Sequence, residues 1–188
     1  MFKNITINKN GDYKFGKRDG YGKEYNKQGQ LIFKGEFLFN KRWEGEGKEY
    51  NKQGLLIFEG KYKNGEKNGN AKEYDGGLLI YEGEYLSDKK NGKVREYNEG
   101  LLIFEGNYLK GEKHGKVKEY NYLGRLLFEG EYKDGKKWNG KLYGKYSNSE
   151  LKDGNGKVLE FNYFGRLLFE GEYKEGFRWN GKIYNNRN

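Results

Sequence analysis

The chain repeats itself along most of its length. Phe58-Glu59-Gly60-Lys61-Tyr62 returns as Tyr81-Glu82-Gly83-Glu84-Tyr85, Phe104-Glu105-Gly106-Asn107-Tyr108, Phe128-Glu129-Gly130-Glu131-Tyr132 and Phe169-Glu170-Gly171-Glu172-Tyr173, and Phe33-Lys34-Gly35-Glu36-Phe37 is an earlier copy. The central glycines Gly35, Gly60, Gly83, Gly106 and Gly130 follow one another at a nearly constant interval. A second motif, Gly-Lys-x-x-Glu-Tyr, follows at Gly92 to Tyr97 and Gly115 to Tyr120, with variants from Gly20, Gly45, Gly69, Gly140, Gly156 and Gly181. Such a period means a small unit that cannot bury its apolar face alone and must stack on its neighbours. Counting second-motif glycines gives eight repeats in one array over 1–188, at approximately 1–29, 30–54, 55–77, 78–100, 101–124, 125–145, 146–165 and 166–188. The first is degenerate in its front half, where Gly11-Asp12-Tyr13 stands for the full motif. The interval from Gly130 to Gly171 is too long for one period, and Glu150-Leu151-Lys152-Asp153-Gly154 marks a shortened seventh repeat within it.

Each repeat reads as strand, turn, strand, turn. In Leu126-Leu127-Phe128-Glu129-Gly130-Glu131-Tyr132 the alternation has period two, so Phe128, Gly130 and Tyr132 share one face and Glu129 and Glu131 the other. Lys133-Asp134-Gly135-Lys136 is a turn signal, because Asp and Gly tolerate positive φ. Lys116-Val117-Lys118-Glu119-Tyr120 is the shorter second strand, and Asn121-Tyr122-Leu123-Gly124 turns into the next copy. A glycine between two aromatics on one face lets rings lie over bare backbone, so that an aromatic ladder substitutes for a second packing layer. The expectation is an all-β fold: an elongated, single-layer, twisted antiparallel sheet of about eight stacked hairpins.

Composition narrows the functions open to such a sheet. Aromatics make up 18% of the chain, too many for a disordered segment. With no cysteine there is no disulfide, thiolate nucleophile or cysteine metal site. No apolar run approaches the ~18 residues of a membrane span, and Met1 to Ile7 lacks the apolar core of a signal peptide, so the default reading is a cytoplasmic protein. The net charge of +9 suits anionic partners of any kind.

Taken together, the Phe/Tyr-Glu-Gly-x-Tyr wording, the Asn/Asp-Gly turn and the later Gly-Lys, recurring at this period, resemble the MORN repeat. The Leu-Leu-Ile-Phe-Glu-Gly form is similar to the variant carried by antitoxin-like bacterial proteins. The resemblance covers nearly the whole chain. It implies scaffolding or partner-peptide binding and, in some members, phospholipid association or dimerisation. A β-solenoid of the cell-wall-binding type is the rival fold, and the Glu-Gly-Glu-Tyr wording argues against it.

Few residues suit catalysis. His114 is the only histidine, aligned with Asn68 and Asn91, and is expected to be a solvated turn residue. Ser87, Ser147, Ser149 and Thr6 lie in no nucleophile motif. Glu59, Glu82, Glu105, Glu129 and Glu170 recur at one repeat position, which suits a ladder paired with Lys72, Arg95 and Lys118 on adjacent strands better than a unique acid–base pair. Gly45-Glu46-Gly47 and Gly154-Asn155-Gly156 lack the context of a phosphate loop. No enzyme activity, cofactor or metal is expected. The leading expectation is a protein-interaction or scaffolding module that binds a partner segment along an aromatic face of Tyr62, Tyr85, Tyr108 and Tyr132. Trp43, Trp138 and Trp179, in the mid-repeat turns, are further contact candidates. The basic pairs Lys17-Arg18, Lys41-Arg42, Lys89-Lys90 and Lys136-Lys137 are expected at turns, along one edge. There they serve either as a solvated edge or as an anionic-phospholipid site of a peripheral membrane adaptor. Nucleic acid is disfavoured as a partner. An immunity-type, toxin-binding protein is a third reading, carried by the resemblance alone.

Overall fold

The computed structural model describes residues 11–14, 16–144 and 148–184; the side chains of 11–14 are not among them. Met1 to Ile7, Thr6 among them, and Ser147 lie outside the described residues. These residues form an all-β chain with sixteen strands and no helix among them. By contacts it divides into two units, Met1–Lys89 and Lys90–Asn188.

The first unit holds β1 (Gly11–Lys14), β2 (Lys17–Tyr25), β3 (Leu31–Leu38), β4 (Lys41–Tyr50), β5 (Leu56–Lys63), β6 (Glu66–Asp75) and β7 (Leu78–Leu86), each antiparallel to the next in chain order. The second holds β8 (Lys89–Asn98, its first residue on the unit boundary), β9 (Leu101–Leu109), β10 (Glu112–Tyr120), β11 (Leu126–Lys133), β12 (Lys136–Tyr143) and β13 (Asn148–Leu151), again in chain order. There β14 (Gly156–Phe161), β15 (Leu167–Lys174) and β16 (Phe177–Ile183) make a separate three-stranded sheet. Substantial contacts join only neighbours in chain order, except one between β12 and β14.

The mid-repeat turns take two residues, both with positive φ. Asn64 and Gly65 lie at 54° and 82°, and Asp134 and Gly135 at 49° and 74°. This is the type I′ geometry whose twist matches the flanking strands, and Asn, Asp and Gly bear it most easily. Each turn then rests on the repeat before it. The Gly65 amide donates to the Trp43 carbonyl at 2.9 Å, Gly154 to Trp138 at 2.8 Å and Gly176 to Gly154 at 2.9 Å.

The core is one face of each sheet. Phe33, Phe58, Phe104, Phe128 and Phe169 are buried almost completely. The rings close over glycine as the motif suggested: a Cβ on Gly130 would lie 2.8 Å from Phe128 Cζ and 2.6 Å from the Gly140 Cα opposite. Gly130 pairs with Gly140 in the ladder, and Gly171 with Gly181. Edge-on contacts extend the packing between strands, with Phe33 to Tyr62 at 6.0 Å and Phe58 to Tyr85 at 5.8 Å.

The seventh repeat is the break. Its first strand, β13, has four residues, and Asp153-Gly154 returns the chain at once. Between β13 and β14 the described residues show one isolated bridge, Lys152 to Asn155, and a bond from the Leu159 amide to Ser149 Oγ at 3.0 Å. With too little backbone for a full ladder, the sheet stops there and a new one starts.

Candidate functional site

The recurring tyrosines are part of the interior. Tyr62, Tyr85 and Tyr132 are each 8% exposed, and Tyr108 is half-buried. Each hydroxyl donates to a glutamate of the preceding repeat. Tyr62 reaches Glu49 at 2.8 Å, Tyr108 reaches Glu96 at 2.8 Å, Tyr132 reaches Glu119 at 2.7 Å, and Tyr85 bonds Glu73. The expected open aromatic face of Tyr62, Tyr85, Tyr108 and Tyr132 is therefore corrected. The Tyr62 ring lies over Gly47, and all four hydroxyls already have partners.

A cation joins the ladder at Glu49, Glu96, Glu119 and Glu160. Lys67 meets Glu49 at 3.1 Å and sits 3.6 Å above the centroid of Phe58. Lys113 meets Glu119 at 3.5 Å and sits 3.9 Å above Phe104. Lys137 holds two carboxylates, Glu119 at 3.0 Å and Glu160 at 3.6 Å, while Arg178 meets Glu160 at 2.7 Å. Lys137 therefore carries the ladder across the sheet break. Burial raises the Glu119 pKa, but Lys137, Lys113 and the Tyr132 hydroxyl outweigh it and hold the carboxyl below its ordinary value. The phenols move the other way. Burial, then the neighbouring carboxylate, raises Tyr132, Tyr62 and Tyr85, and takes Tyr173 to about 12.

The basic pairs are corrected by the same alternation. They open strands β2, β4, β8 and β12 and are not turn residues, so the two members of each pair face opposite ways. Lys17, Lys41 and Lys89 are exposed, whereas Lys136 is half-buried with its ammonium 3.8 Å above Phe177. Arg18 is buried over Phe37, Arg42 binds Glu24 at 2.9 Å, Lys90 lies 4.0 Å from Glu96, and Lys137 is bound as above. A pair in sequence thus offers a lipid at most one free cation.

The tryptophans are not turn residues either. Phe37 pairs with Arg42 and Glu36 with Glu44, which leaves Trp43 as the extra residue of a β-bulge; Trp138 and Trp179 are extra in the same way. Trp43 and Trp138 are half-buried, the latter under the turn at Gly154. Trp179 is 67% exposed, with Lys174 at 4.6 Å from its ring. His114, expected in a turn, is a half-buried residue of β10.

The opposite face carries the second glutamate row. Lys48 meets Glu59 at 3.3 Å, Arg95 meets Glu105 at 3.9 Å and Lys118 meets Glu129 at 3.3 Å. Lys72 lies opposite both Glu59 and Glu82 in register. Tyr74 and Tyr120 donate to Glu59 and Glu105 at 2.6 and 2.7 Å, and burial and these carboxylates raise both phenols to about 12. In the last repeat Leu159 takes the cation's place opposite Glu170. A groove of about 420 Å³ lies there over β13 to β16, lined by Ser149, Leu159, Glu170, Glu172 and Asn180.

Sequence reasoning named Trp179 but passed over the other exposed apolar side chains. Phe177, Trp179 and Ile183 stand out on β16, and Tyr122, Leu123 and Phe164 on the loops between repeats. A departure from the repeat consensus at those loops was the available signal. No family model matches the chain, and no curated protein matches it either.

Proposed function

We propose that the protein is a non-catalytic, cytoplasmic interaction scaffold of MORN type, which adds an extended segment of a partner protein to the edge of β16. The observation that supports this reading is the exposure of β16 itself. Among the described residues it pairs with β15 alone, and it presents Trp179 and, at 62% exposure, Ile183. Its internal counterpart β12 shows what such a strand accepts. There β13 lies antiparallel, with Leu151 opposite Gly140, Glu150 opposite Lys141 and Ser149 opposite Leu142. A partner segment with an apolar residue at Gly181 and a carboxylate at Lys182 meets the same chemistry, with main-chain bonds giving affinity and alternate side chains specificity.

Capture from the native host with the whole chain, beside a Trp179→Ser/Ile183→Ser variant, tests the proposal. The expected result is a partner held by the first and lost by the second, with the β16 amides protected from exchange in the complex. Equal capture by both, or protection elsewhere alone, overturns it. A second reading, binding to anionic phospholipid, is supported by the exposed Lys17, Lys41 and Lys89. It calls for flotation with anionic vesicles that weakens as salt rises; no flotation at low salt ends it.

A further inference from the structure

Four loops between repeats share one geometry. In residues 26–30, 51–55, 121–125 and 162–166 the opening asparagine donates its amide to the carbonyl four residues on, at 2.9 Å in each case. Its own carbonyl accepts from the glycine amide, and its Oδ1 accepts the amide four residues on at 2.9 to 3.0 Å. None of these bonds uses the side chains of the two middle residues. The loop is therefore indifferent to them, and Lys27-Gln28 and Lys52-Gln53 in the first unit are the polar choice expected at a loop tip.

The second unit makes the opposite choice. Its middle residues are Tyr122-Leu123 and Tyr163-Phe164, with Leu123 56% and Phe164 64% exposed. The two tips touch. The Tyr122 amide donates to the Tyr163 carbonyl at 3.1 Å, and ring centroids lie 6.2 Å apart for Tyr122 and Tyr163, 6.3 Å for Tyr122 and Phe164 and 5.3 Å for Tyr163 and Phe164. These loops belong to different repeats, one opening at Asn121 and the other at Asn162. The truncated seventh repeat brings them together, since β13 is too short to keep β12 from touching β14. Each tip is followed by an exposed arginine, Arg125 and Arg166, where the first unit has Gln30 and Leu55. Water-exposed rings and a leucine that the backbone does not require, on two touching loop tips that each run into an exposed arginine, have the composition of an interaction hot spot.

We propose that Tyr122, Leu123, Tyr163 and Phe164, with Arg125 and Arg166, form a docking site for an acidic protein segment carrying an apolar anchor. The anchor sits among the rings, and flanking carboxylates meet the arginines. Charge complementarity argues for this occupant, since the chain carries +9 overall and each of the two tips ends on an exposed arginine. The site uses none of the side chains of the β16 edge.

The first unit supplies the control. Tyr122→Lys, Leu123→Gln, Tyr163→Lys and Phe164→Gln together install tips that this loop geometry already carries at Lys27-Gln28 and Lys52-Gln53. A displayed random-peptide library is selected on the whole wild-type chain, and the selected peptides are titrated by fluorescence anisotropy. The expected peptides carry Asp or Glu around an aromatic or aliphatic residue. Their Kd rises at least about tenfold in the four-site variant and in Arg125→Glu/Arg166→Glu, and stays unchanged in Trp179→Ser/Ile183→Ser. Selected peptides that lack acidic residues, that bind the four-site variant equally, or that fail to emerge overturn the proposal. So does four-site-sensitive binding to phosphatidylserine vesicles with none to peptides, which would assign the patch to a membrane. Loss on the β16 variant alone would support the edge-strand reading and sink this one.

Discussion

Strands β12 and β16 are nearly the same text in different surroundings. Lys137-Trp138-Asn139-Gly140-Lys141-Leu142 stands beside Arg178-Trp179-Asn180-Gly181-Lys182-Ile183. Both take the same register on a Phe-Glu-Gly-Glu-Tyr strand, with the same tryptophan bulge. Yet Leu142 is 2% exposed and Ile183 62%. What differs is the other side. β12 has β13 laid along it and the turn at Gly154 on its indole, while β16 has neither among the described residues. Burial in a repeat array thus belongs to the neighbour as much as to the residue.

That comparison is sharpened first by truncation. Leu142→Ala should cost about 2–5 kcal/mol as the core loses volume, and Ile183→Ala about 0.5 kcal/mol or less, both read from denaturant midpoints. Equal costs would mean that β16 is covered in solution. The ladder gives the next contrast. Lys137→Ala leaves Glu119 to Lys113 and Glu160 to Arg178 at a site where its own side chain is 13% exposed, and should cost about 2–3 kcal/mol, below the ~3–5 kcal/mol of a fully buried pair left without a partner. Arg178→Ala, on the exposed strand, should cost about 1 kcal/mol.

Acid should reveal the same ladder. The folded pKa of Glu119 lies below its ordinary value of 4.5. Its contribution is therefore present above that value and is lost as pH falls through the depressed folded one. Stability profiles of the wild type and Glu119→Gln should converge on acidification; a constant offset down to pH ~2 would deny the coupling. The smallest effect belongs to Lys157, whose side chain is 86% exposed against Glu172 at 3.8 Å. Lys157→Ala should change stability by less than about 0.5 kcal/mol, and a larger loss would show that this pair is less open than its exposure says.

The hairpins were legible because they rest on local rules. Period-two alternation put Phe128 and Tyr132 on one face, and Asp134-Gly135 could only be a turn. The short seventh repeat was legible in spacing, but its consequence, the break between β13 and β14, was not. Several expected site residues are covered for one reason: a residue type was taken for its exposure. Tyr62 looked like a contact residue, but its hydroxyl was already held by Glu49 from another repeat. Arg42 looked like a free cation, but Glu24, on another strand, lies 2.9 Å away in space. Trp43 looked like a turn residue because an extra residue in a strand and one in a turn read alike until the register is known.

By itself the sequence determined the hairpin, its period, its turns and the alternation of its faces, since each depends on backbone preferences within a few residues. Tertiary structure alone decided which ring is covered, which glutamate holds which lysine, and that two loops far apart in the chain meet at Tyr122 and Tyr163. Those depend on what is stacked alongside, and a repeat that reads the same everywhere carries no label for its neighbours.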